Sequence, residues 1–193
     1  MRNEFLKIFW GFLFVLIEIH IAVIDLLPDP IGYYLIYSGI SSLTQEHQIG
    51  KKATNWASAL CVISIPSVFV QQAVDTMRVL SEWSIYFLIL GLLKLILVFY
   101  VFQVLLELAK RHEARDLASY TKKLFKAYVV IMLVIQIIQP FIINIPPEIM
   151  HSLLFIIPVT ILIMEVIFIV LIFKYRNLRE KPEVPLITEY EES

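Results

Sequence analysis

Three ionisable residues stand inside long apolar runs: Glu18, Lys94 and Glu165. A charge at bilayer depth costs several kcal/mol on insertion scales, so such residues face the interior of a helix bundle and pair there. Glu18 and Lys94 fall near the middle of their runs, and Glu165 lies somewhat toward the Lys174 end of its own. Either acid can reach Lys94. Two chemistries fit these residue types. One is a proton or ion relay, or a counter-ion for a charged substrate. The other is a buried salt bridge that fixes helix register, a matter of specificity more than of stability. The structural reading is preferred, because one cation between two acids is also a way to assemble a bundle.

The remaining reactive residues form no constellation. Asp25 and Asp29 flank Pro28. Two carboxylates are far from a cation's coordination shell, so a turn with helix capping is expected there. His20, His47, His112 and His151 lie on different elements without HExxH spacing, and no metal site is expected. Cys61 is the single cysteine, which excludes an intrachain disulfide and a CxxC site. A small, inert, buried thiol is the reading. Gly39-x-Ser41 looks like the serine neighbourhood of intramembrane proteases, but no partner histidine stands on another run, and the match is treated as chance. No cofactor motif is present. The expectation is a protein that is not an enzyme.

The elements that position the three charges are apolar runs. The chain has 193 residues, of which 59% are hydrophobic and 17% charged. Soluble domains are about 45–50% apolar and about 25% charged. The excess is concentrated in blocks, the pattern of membrane spans. The formal net charge of -1 suggests no nucleic-acid partner. The predicted fold class is all-α: a polytopic membrane bundle of about six hydrophobic helices over 1–176, followed by a disordered cytoplasmic tail over 177–193. Span 1 covers 8–27. It is longer than the usual signal-peptide core of about 7–15 residues and lacks a small-x-small cleavage site, so it is read as retained. On it Lys7, Gly11, Phe14, Glu18, Ala22 and Asp25 follow at steps of four, three, four, four and three, on one helix face.

Pro28-Asp29-Pro30 stops that helix, with Asp29 free to cap the next and Pro30 at its first turn. The second apolar run, 31–43, is shorter than the about 17 residues that a straight span needs. It is short or re-entrant, and its Gly32 and Gly39 offer a smooth face for close packing. Span 3 covers 53–74, with Ala53, Ala57, Cys61 and Ser64 as a small-residue stripe and a kink at Pro66. Span 4 covers 83–106, span 5 covers 124–143, and span 6 covers 149–173, interrupted by Pro158. Tyr33, Tyr34, Tyr37, Trp10, Trp56, Trp83 and Tyr120 fall near expected interfaces and are read as an aromatic belt.

Orientation follows from Lys and Arg in the short flanking loops. With six crossings, every Lys and Arg except Arg78 and Lys94 lies on one side, together with both termini. That side is expected to be cytoplasmic. The basic stretch 109–126 is read as the topology determinant, with recruitment of a partner or of anionic headgroups as the alternative.

One stretch carries a resemblance. Leu27-Pro28-Asp29, then Ile31-Gly32-Tyr33 and Leu35-Ile36, followed by Ser38-Gly39-Ile40 and Leu43, resembles a motif of small multi-pass bacterial membrane proteins of unassigned activity. It covers roughly the first quarter of the chain, and Pro30 and Tyr34 fill positions that often differ. The resemblance implies bacterial origin and a plasma-membrane location, and no activity. The functional expectation is a non-enzymatic accessory, sensory or scaffold subunit. Its partners would be membrane lipids and another membrane protein. The alternative is a small transporter or permease component built around Glu18, Lys94 and Glu165.

Overall fold

The computed structural model describes residues 2–20, 29–44, 48–70, 82–144 and 146–178. All regular structure among them is helical. α1 is Arg2–His20, α2 Asp29–Leu43, α3 Gln48–Ile63, α4 Ile65–Val70, α5 Glu82–Arg111, α6 Arg115–Ile138 and α7 Pro147–Tyr175, with a 3-10 segment at Gln139–Asn144. Among the described residues, three helices are long and apolar enough to cross a membrane: Ile85–Arg111, Arg115–Phe141 and Ser152–Tyr175. The chain is therefore read as a membrane protein. Asp25 and the tail 179–193 lie outside the described residues.

Neighbouring helices run antiparallel. On α1 and α2, Gly11 faces Gly32 while Glu4 and Ile8 face Gly39. The Cys61 thiol of α3 donates to the Pro30 carbonyl of α2, at 3.3 Å, and Tyr86 of α5 donates to the Ile63 carbonyl of α3, at 2.8 Å. Phe99 of α5 packs on Phe125 of α6, and Gly91 lies beside Gln136. α7 closes the circuit on α1, with Phe5 against Tyr175 and Phe12 against Phe168. The helices thus alternate up and down around a ring. The starts of α1, α3 and α6 and the ends of α2, α5 and α7 share one end, where Lys7, Lys51, Lys52, Lys110, Arg111, Arg115 and Lys174 are exposed.

Between helices in lipid there is no hydrophobic drive, so close packing and polar bonds must hold them together. The α1–α2 seam shows how. A Cβ on Gly32 would stand 2.8 Å from the Gly11 carbonyl oxygen, and one on Gly39 2.7 Å from that of Glu4. Only glycine permits backbones this close. α3 turns Ala53 and Ala57 inward, both fully buried like Ser64 just past its end, with Cys61 half-buried beside them.

The proline expectations divide. The break between α3 and α4 falls at Ser64, two residues before Pro66. Pro66 brings no N–H to the helix and disfavours helical backbone at Ile65. The Ser64 and Ser67 hydroxyls donate to the carbonyls of Cys61 and Ser64, tying up part of the freed backbone. Pro158, by contrast, does not interrupt its span: α7 continues through it to Tyr175. Pro140 ends the α-helical part of span 5, and the chain tightens into the 3-10 segment. The basic stretch is helical on both sides of a turn at 112–114, where Glu113 takes φ 54.

Candidate buried charge site

Lys94 belongs to the inward stripe of α5, with Leu90, Leu97, Val101, Leu105 and Leu108 at helical spacing. Glu165 lies on the inward stripe of α7, between Ile157 or Met164 and Phe168, Ile172 and Tyr175. The two stripes bring the charges together: Lys94 Nζ lies 2.9 Å from Glu165 Oε1, with side-chain exposures of 8% and 0%. α6 contributes the third member. Its buried residues are Thr121, Tyr128 and Ile135, seven apart. The Tyr128 hydroxyl donates to the same Glu165 Oε1 at 2.9 Å. Glu165 Oε2 is buried and has no hydrogen-bond partner among the described residues.

Aromatic rings separate this triad from the basic end of the bundle. Phe102 of α5 meets Phe168 of α7 at 4.8 Å between ring centroids, and Tyr128 stands 5.5 Å from Phe168 and 5.7 Å from Phe102. Phe12 of α1 meets Phe168 edge-on at 5.0 Å. The pair therefore sits in an apolar setting, where an ion pair is strong and an unpaired charge is costly. α6 and α7 approach less closely along their backbones than the other ring neighbours do. Two long side chains bridge them: Tyr128 to Glu165, and Tyr175, whose hydroxyl is 2.8 Å from that of Thr121.

Of the residues singled out from sequence, Lys94 and Glu165 are brought together. Glu18 is in α1, and its side chain lies outside the described part. Asp29 is buried in the first turn of α2. Tyr33 corrects the aromatic-belt expectation. It is 1% exposed, on the inward side of α2 with Ile36 and Ile40. The Gly11–Gly32 contact draws α2 against α1 and turns the next side chain inward. Trp10, Tyr34 and Tyr120 are exposed as a belt requires, and Tyr34 stacks on Tyr37. Tyr128 was missed by sequence reasoning. Its signal is the hydroxyl pair Thr121 and Tyr128 on one face of an otherwise apolar helix.

Among the described residues no group of three or more His, Cys, Asp or Glu is placed to hold a metal. The arrangement can do two things. It holds α5, α6 and α7 in one register, and it keeps one carboxylate oxygen, Glu165 Oε2, as an acceptor in the core. No family model, curated protein or solved structure matches the chain.

Proposed function

We propose that the chain is a non-enzymatic, multi-pass membrane protein that works as an accessory, sensory or scaffold subunit through contacts with another membrane protein. The observation that carries this reading is the mutual neutralisation of Lys94 and Glu165. Each intramembrane charge whose side chain is described is spent on the other, with Tyr128 completing the bond, so the pair offers a passing ion little net charge. The ring of Phe102, Tyr128 and Phe168 supports the same reading by closing the basic side of the pair.

Six crossings with both termini cytoplasmic are part of the proposal. The alternating direction of the helices and the gathering of exposed Lys and Arg at one end support it. In this reading α2, at 15 residues and about 22 Å, crosses with the help of its neighbours. The likeness of 27–36 to bacterial membrane proteins supports the plasma membrane as the location.

A second reading, a small transporter component, is favoured by one observation: the fully buried Glu165 Oε2, without a partner among the described residues, two turns from Pro158. Capture of partners from a mild detergent extract, set against ion flux in protein-containing liposomes, separates the two. A stoichiometric membrane partner with no flux supports the subunit reading. Flux that Glu165→Gln abolishes would replace it with the transporter reading.

A further inference from the structure

We infer that Lys122, Lys123 and Lys126 form a docking site for anionic lipid headgroups on the outward face of α6. The inference rests on the membrane-spanning reading and adds a ligand class and a place. Arg115, Lys122, Lys126, Leu133 and Ile137 follow at steps of seven, four, seven and four, so they share one face. That face lies opposite the buried stripe Thr121, Tyr128 and Ile135. Lys122, Lys123 and Lys126 are exposed, and so are Val130, Leu133 and Ile137, the last at 62%. One outward face thus changes from basic to apolar between Lys126 and Val130, within about 6 Å of helix rise.

A surface that faces away from the bundle and is apolar on one side of that step faces lipid tails. The basic part, one to two turns further, falls at the level of the headgroups, a layer about 6 Å deep on each side of the hydrocarbon. Side chains on a helix lean toward its N-terminus, which for α6 is the basic end, so Lys126 reaches back toward that layer. α7 reaches the same level: Lys174 lies over the exposed Tyr120 ring of α6 at 4.6 Å, a cation on an interfacial aromatic. Ammonium groups held at phosphate depth on the lipid-facing side are complementary to an anionic headgroup.

The test uses the full chain, delipidated in neutral detergent and titrated with phosphatidylglycerol or phosphatidylcholine, with bound lipid counted by native mass spectrometry. The wild type should prefer phosphatidylglycerol. The K122Q/K123Q/K126Q variant should lose that preference by about tenfold or more, with phosphatidylcholine binding unchanged. K122R/K123R/K126R should keep it, and so should K51Q/K52Q, which removes two basic residues elsewhere at the same end. Equal binding of the two lipids by the wild type, an unchanged Gln variant, or an equal loss in K51Q/K52Q would overturn the inference. So would loss in the Arg variant, or capture of an acidic soluble protein without any lipid preference. Release of the wild type from membranes without detergent would instead contradict the membrane-spanning reading.

Discussion

Lys94→Leu removes the ammonium that lies 2.9 Å from Glu165 Oε1 and leaves a fully buried carboxylate held by the Tyr128 hydroxyl alone. Breaking a buried pair from one side costs about 3–5 kcal/mol in soluble proteins. For a chain of this length each kcal/mol moves the unfolding midpoint by roughly 2–4 °C. A fall of roughly 10 °C is therefore expected for detergent-solubilised protein, read by thermal unfolding. Adding Glu165→Gln removes the stranded charge while its amide oxygen can still accept from Tyr128, so the double variant should recover about half of the loss. Lys94→Leu with Glu18→Gln should recover nothing, because Glu165 is the residue that Lys94 holds. Tyr128→Phe keeps the ring against Phe102 and Phe168 and drops one hydrogen bond to a charged group, about 1.5–3 kcal/mol. It should fall between the wild type and Lys94→Leu. The reasoning is refuted if Lys94→Leu with Glu165→Gln is no more stable than Lys94→Leu, or if the Glu18→Gln combination rescues better.

Gly39→Ala sets a methyl 2.7 Å from a backbone oxygen of α1, and overpacking of this kind costs typically 1–3 kcal/mol. Gly91→Ala meets only the amide end of Gln136, which can rotate away, so its unfolding midpoint should fall less. Tyr175→Phe removes the bond to Thr121, whose hydroxyl also bonds the Leu117 carbonyl. A loss of about 1 kcal/mol is expected in the same thermal assay. In liposome assays the wild type and Glu165→Gln should both leave ion flux at the protein-free level.

The helices were legible because their signals are strong and local. The runs around Lys94, Gln136 and Glu165 are long and apolar enough to be read as spans without any partner, and the glycine pair of α2 announces close packing by its spacing. What stayed hidden depends on which face of a helix turns inward. Tyr33 and Tyr34 are adjacent and chemically alike, yet one is buried and the other exposed, because Gly32 meets Gly11 and fixes the rotation of α2. Pairing of Lys94 was ambiguous for the same reason. Two acids stood at similar depth, and only the packing of α7 on α1 and the reach of Tyr128 bring Glu165 to the lysine. Pro158 misled because proline removes one N–H and crowds the carbonyl four residues back, a local cost that need not end a long helix. A membrane helix can run through a proline where local adjustment satisfies the freed carbonyl, as α7 does to Tyr175.

The central claim is a bundle of six alternating crossings with its basic end cytoplasmic. Cysteine-accessibility labelling on intact cells, in a Cys61→Ser background, tests it most directly. Single cysteines at Lys51, Glu113 and Asn177 should resist an impermeant reagent until the membrane is opened, while cysteines at Arg78 and Glu148 should react at once. Reaction of a further cysteine at Asn3 from outside, with Lys51 and Glu113 still protected, would mean that α2 returns to the side it came from and would contradict the claim.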